Sequence, residues 1–233
     1  MANETYIIVP PGLTPVHSFD LYGPIVDSKA LSEQSIGLFQ EIAEEEGISP
    51  EEAAKIVSDY RALARGEPGT TGERKVPIIN ALEDPLNRHP ELLPDYKVTF
   101  QEDGLYVMRE ILEAGEGVIV FSSKTPAWLR ENLPEDIGAR IGEMYGDRKH
   151  RPEAFQKVYS AEGALGRRVI THTADELPEL EAAVASGLFA GDNGRLIFAN
   201  RNDSVNISQA LDAGVNIYVD NLRDVGYTKL VEK

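Results

Sequence analysis

Gly117-Val118-Ile119-Val120-Phe121 is a continuous apolar run that ends in Ser122-Ser123-Lys124. Strict alternation would mark a strand with one wet face. An unbroken run marks a strand covered on both faces, as a parallel sheet requires. Working outward, helix and strand signals alternate. Upstream, Leu105 to Ala114 reads as a helix closed by Gly115. Downstream, Pro126 to Asn132 and Pro152 to Tyr159 read as helices and Val169 to Thr173 as a strand. Leu180 to Ser186 is a helix closed by Gly187, Leu196 to Ala199 a strand, Ser208 to Ala213 a short helix and Asn216 to Val219 a last strand. Val16 to Tyr22 is an earlier extended run ended by the turn signal Gly23-Pro24. Tyr6 to Val9, stopped by Pro10-Pro11-Gly12, reads as an added edge strand. This alternation predicts an α/β fold with a doubly wound parallel sheet.

From about Ser32 to Tyr96 the pattern is helical. Ile36, Phe39, Ile42 and Ala43 recur at helical spacing, with Glu41, Glu44 and Glu45 opposite. Ser49-Pro50-Glu51-Glu52 opens a second helix: Ser49 can cap, Pro50 suits the first position and Glu52 completes a capping box. Gly66 to Gly72 is a loop, and Asp84-Pro85 and His89-Pro90 are read as breaks. The helical stretch falls after the first strand and reads as an insertion. The expected domains are an α/β core of residues 1–28 and 97–233 and a helical domain of residues 29–96.

Composition narrows the functions. Of 233 residues, 42% are hydrophobic, enough for a packed core. Lys and Arg total 23 against 39 Asp and Glu, a net charge of −16. Such a chain repels phosphate backbones, so neither nucleic acid nor an anionic membrane is expected as a partner. The absence of Cys removes disulfides, thiolate nucleophiles and Cys-ligated metals. The start, Met-Ala-Asn-Glu-Thr-Tyr, lacks the pattern of a secretion signal, and no apolar run approaches the ~18–20 residues of a membrane helix. A soluble cytoplasmic protein is the expectation.

Ligands of open α/β sheets bind beyond the carboxyl ends of the strands. The first strand delivers Asp20 there, the apolar run delivers Ser122, Ser123 and Lys124, and the strand at 169–173 delivers Asp175 and Glu176. Between the last two lies Gly146-Asp147-Arg148-Lys149-His150-Arg151-Pro152. Asp20 could attack an electrophile. Asp20 and Asp175 could hold Mg²⁺, which prefers oxygen ligands. Ser122 and Lys149 could neutralise an anionic substrate group.

Phe19-Asp20-Leu21-Tyr22-Gly23-Pro24-Ile25-Val26-Asp27-Ser28 resembles the first motif of the haloacid dehalogenase (HAD) superfamily. Val118 to Lys124 resembles its second motif, Lys149 to Phe155 its third, and Thr173 to Ala183 its fourth. The resemblance spans about residues 16–225, and a helical insert after the first motif is similar to the cap of the phosphoglycolate-phosphatase-like branch. It implies a Rossmann-like core with a helical cap, and hydrolysis of a small phosphorylated substrate. Asp20 would be the nucleophile. Its carboxylate, the Tyr22 carbonyl, Asp175 and Glu176 would serve Mg²⁺. Ser122 and Lys149 would bind the phosphoryl group, with Gly23, Ser123 and Lys124 as further substrate contacts. Glu176 or Glu179 would hold metal-bound water or orient Lys149.

Two departures bear on the activity. Family phosphatases carry an acid–base Asp where this chain has Tyr22, and a phenol with a pKa near 10 is a poor base at neutral pH. Pro24 replaces the usual Thr. A Tyr two residues after the nucleophile is instead what metal-independent 2-haloacid dehalogenases show. Those enzymes need an Arg early in the cap, whereas Lys29 to Ser58 contains none, and Arg61 and Arg65 come first. A ligand-binding protein with weakened turnover is a third reading. Among other residues, His17, Trp128 and Leu129 read as core, and His89 and His150 as surface. His172 leads into the fourth motif and could approach a metal.

Overall fold

The computed structural model describes residues 6–64, 67, 69–70, 74–89, 92, 98–122, 132–146, 149–201 and 205–231. The chain divides into two compact units, Met1–Ile25 with Phe100–Lys233, and Val26–Thr99.

Among the described residues the first unit is built on six strands: β1 Thr14–Phe19, β2 Gly117–Ser122, β3 Met144–Gly146, β4 Arg167–Ala174, β5 Arg195–Ala199 and β6 Ile217–Val219. All neighbouring pairs are parallel, and the order is β3-β2-β1-β4-β5-β6. This is the order of a doubly wound sheet, in which the direction of winding reverses at the central strand. Helix α4 (Glu102–Glu113) precedes β2, and the short α5 (Glu135–Gly138) precedes β3. α6 (Pro152–Ala164), α7 (Leu177–Ala185) and α8 (Ile207–Asp212) precede β4, β5 and β6. Val16, Ile119, Phe121, Phe155, Val158, Leu180 and Phe198 belong to one buried cluster between sheet and helices.

Two sequence expectations change here. Tyr6 to Val9 is not a strand: Ile7 makes a single bridge to Val231 and donates to the Leu230 carbonyl at 2.7 Å. Pro10 and Pro11 have no N–H to extend a ladder. The three-residue β3 was not anticipated, because so short a segment carries no periodicity. The helix expected at 126–132 lies outside the described residues, apart from Asn132.

The centre of the sheet is more polar than an apolar-strand reading suggests. In the β1–β4 ladder His17 pairs with Thr171 and Ser18 with His172. The Thr171 hydroxyl lies 2.9 Å from His17 Nδ1, and His17 Nε2 lies 2.8 Å from Glu116. Burial holds the His17 ring below its ordinary pKa, with Glu116 pulling the other way. His17 is thus a core residue with both nitrogens satisfied.

The second unit contains α1 (Ser28–Ile42), α2 (Pro50–Ala64) and α3 (Lys75–Asn87). Asp27 caps α1, accepting the N–H groups of Lys29 and Ala30 at 3.1 and 3.0 Å, so the helix starts four residues before Ser32. Ser49 accepts the Glu52 N–H at 3.3 Å, as its sequence position implies. Ile36, Phe39, Ala43, Val57 and Leu82 form the unit's core. Pro85 does not break α3. The helix forgoes one hydrogen bond there, and the proline ring is buried. No helix among the described residues is long and apolar enough to cross a membrane.

Candidate active site

β1 ends at Phe19, and Asp20 follows it off the carboxyl edge of the sheet. The Asp20 N–H donates to the Thr173 carbonyl at 2.8 Å, so the residue emerges beside the end of β4. Its Oδ1 accepts the Leu21 N–H at 2.7 Å, which orients the carboxylate. Lys149 lies in the turn before α6, and its ammonium contacts Asp20 Oδ2. The same ammonium lies 2.5 Å from Glu179 Oε2, in the first turn of α7. Asp20, Lys149 and Glu179 are 1%, 3% and 0% exposed.

Three charges held out of water need one another. The Asp20 pKa is raised to about 6: burial is the largest cause, Glu179 and Glu176 add to it, and Lys149 opposes them. For Lys149, burial favours loss of the proton, but Asp20, Glu179 and Glu176 outweigh it and hold the ammonium charged. Removing one member of such a set typically costs about 3–5 kcal/mol, because the others are left uncompensated. Among the described residues around Asp20, one cation faces several carboxylates.

Asp175 immediately follows β4. Gly23, at φ +88°, lies against it: a Cβ there would fall 2.5 Å or less from all three carboxylate atoms. Glycine is thus required twice, for the left-handed backbone and for the close approach. The turn after Asp20 is clamped from below. Asp103, at the start of α4, pairs with Arg201 through two hydrogen bonds of 3.0 and 2.9 Å and accepts the Leu222 N–H at 2.8 Å. Burial raises the Asp103 pKa, but Arg201 and the Leu222 N–H outweigh this and keep it below its ordinary value. Arg201 also donates to the Pro24 carbonyl at 3.4 Å, and a Cβ on Gly104 would overlap that carbonyl.

The other candidates are distributed as follows. Ser122 ends β2, the strand beside β1, and is buried on the same edge as Asp20. Tyr22 is partly buried. Glu176 is partly exposed, 3.7 Å from His150. Ser123 and Lys124 lie outside the described residues, as do Trp128 and Leu129. His89 is not an isolated surface group, since it lies 3.0 Å from Glu46. Ser18, Asp103 and Arg201 were missed from sequence. The sequence carries no local signal for them, because their partners are far along the chain: 154 residues for Ser18–His172 and 98 for Asp103–Arg201.

Among the described residues no group of three or more His, Asp or Glu forms a metal cage. One kind of metal needs no such cage. Mg²⁺ keeps much of its water and is bound through one or two carboxylates, and the described groups acting on Asp20 are two carboxylates against one ammonium. No protein-family model matches the sequence, and no curated protein matches it. Solved structures do match. A dehalogenase aligns with a TM-score of 0.57 at 13% identity, over 97% of this chain and 100% of that one. CbbY from Rhodobacter sphaeroides, in complex with phosphate, aligns at 0.54 and 17%, over 92% and 96%. A HAD phosphatase from Thermococcus onnurineus aligns at 0.58 and 16%, over 91% and 96%. Together with the sheet order, these likenesses identify the fold: the chain has the haloacid dehalogenase-like α/β fold.

Proposed function

We propose that this protein is a HAD-type hydrolase that releases phosphate from a small phosphorylated metabolite, with Asp20 as nucleophile. The observation that carries the reading is the buried Lys149 ammonium between Asp20 and Glu179. A carboxylate approaching a phosphoryl group meets like charge, and a preorganised cation at the nucleophile offsets that repulsion. Asp20 forms a bond to phosphorus while the bond to the substrate oxygen breaks. Water then attacks the phosphorus, releasing phosphate and restoring the carboxylate. Tyr22 has a phenol that can give a proton to a departing alkoxide but is a weak base for the second step. Breakdown of the acyl phosphate is therefore the expected slow step.

Mg²⁺ would be held by the carboxylates of Asp20 and Asp175 and the Tyr22 carbonyl, with Glu176 beside them. Bound there, it would supply positive charge against the phosphoryl oxygens. Ser122, Ser123, Lys124 and the Gly23 backbone are assigned to the remaining substrate oxygens. Residues 29–96 take the part of a substrate-selecting cap, and residues 1–28 and 97–233 that of the catalytic core.

The test is phosphate release from a panel of sugar and organic-acid phosphates. Release should require Mg²⁺ and vanish in Asp20→Asn. A second reading, displacement of halide by Asp20, is favoured by Tyr22 and by the likeness to a dehalogenase. Chloride release from 2-chloropropionate without metal, with no phosphate release from any substrate, would establish that reading instead.

A further inference from the structure

The buried polar contacts do not stop at Lys149. Glu179 offers Oε2 to the ammonium, and its other oxygen, Oε1, lies 2.8 Å from His172 Nε2. His172 Nδ1 lies 3.0 Å from the Ser18 hydroxyl, across the β1–β4 ladder. Ser18, His172 and Glu179 are almost wholly buried. The His172 ring stands edge-on to Phe155, 5.0 Å between centroids, with Phe121 at 6.1 Å.

The His172 pKa is lowered to about 3: burial is the largest cause, Asp20 opposes it and Lys149 adds to it. The ring is neutral and carries one proton. Glu179 can only accept, so that proton sits on Nε2, and Nδ1 accepts from Ser18. If Glu179 turned away, it would leave a ring N–H unpaired among aromatic side chains, which is costly. A leucine at position 172 would fill the same space without restraining the carboxylate. The imidazole restrains it, and through it the ammonium.

We propose that His172 is a positioning residue, and that the Ser18–His172–Glu179 string holds the Lys149 ammonium at the Asp20 carboxylate. The restraint is a property of the folded protein. Its consequence for catalysis rests on the phosphatase reading, because there the ammonium must meet the phosphoryl group.

Two measurements separate the two claims. The first needs no turnover. In ¹⁵N-lysine-labelled protein, a restrained buried ammonium gives a slowly exchanging Nζ–H signal, assigned by its loss in Lys149→Arg. His172→Phe keeps the ring volume and removes both hydrogen bonds. Exchange should rise at least ~10-fold, or the signal should vanish, while the backbone amide spectrum is kept. His172→Gln returns an N–H donor and should retain the signal. If His172→Phe fails to fold, Ser18→Ala frees the ring and should speed exchange several-fold. Equal exchange in wild type and every folded variant overturns the proposal, as does a wild type with no such signal.

The second measurement uses acetyl phosphate with Mg²⁺. kcat should fall by about 10²-fold in His172→Phe, the cost of a misplaced catalytic group. KM should stay within about twofold, and His172→Gln should recover most of the rate. A raised KM with kcat unchanged in His172→Phe overturns positioning. A wild type that passes the lysine test but releases phosphate from neither acetyl phosphate nor any member of the substrate panel refutes the phosphatase reading and leaves the string standing.

Discussion

Gly23→Ala is the most informative single change, because its two effects can be separated. The backbone at Gly23 has φ +88°. A residue with a Cβ in the left-handed region pays roughly 1–2 kcal/mol. For a chain of this size each kcal/mol lowers Tm by about 2–4 °C, so strain alone removes about 2–8 °C. The new Cβ would also sit 2.5 Å or less from the Asp175 carboxylate atoms. Carbon and its neighbours rest near 3.5 Å, so Asp175 must retreat by roughly 1 Å. A shift of that size costs on the order of 10²-fold in rate when the group takes part in the reaction. The assay is thermal unfolding together with Mg²⁺-dependent phosphate release. In Gly23→Ala/Asp175→Ala the clash is gone but the φ strain remains. That double variant should regain part of the lost Tm and none of the lost rate. A Gly23→Ala protein with wild-type Tm and rate would refute the reasoning, since the turn would then have room that the geometry denies.

Lys149→Met should destabilise the protein by about 3–5 kcal/mol, because Asp20 and Glu179 are left buried without a counter-charge. Adding Glu179→Gln should recover part of that loss in a urea titration. In metal-free protein the Asp20 carboxyl should titrate near pH 6 by ¹³C NMR, identified with Asp20→Asn. Its folded pKa lies above the ordinary 3.8, so the folded state binds the proton more tightly. Its contribution to stability is therefore greatest at acidic pH and is lost as pH rises through about 6. Glu179→Gln removes the leading like charge and should move this titration to lower pH. Tyr22→Asp restores an acid–base carboxylate and should raise phosphate release by about 10²-fold. An unchanged rate would mean that Tyr22 does not limit turnover.

The unbroken run Gly117 to Phe121 marks a strand buried on both faces, and it is one: β2 lies between β1 and β3. The helices at Pro50 and Pro152 were legible from their N-terminal prolines, and both begin there. Three things were not legible. The α3 helix continues through Pro85, whose ring is buried, and local breaking rules do not see the packing around it. β3 is too short to carry a period. The pairing of Ser18 with His172 depends on strand register, which a parallel sheet sets through a long crossover and not through a turn.

By itself the sequence determined the class of fold and the end of the sheet at which polar groups gather, because hydrophobic periodicity is a local property that each segment carries with it. Only the tertiary structure decided which carboxylates face Lys149, that Gly23 lies against Asp175, and that His172 is joined to Glu179 and Ser18. Those contacts join residues far apart in the chain. They arise from register and burial, and burial makes the contacts between charged groups strong, since a charge removed from water is stabilised only by the partners the fold brings to it.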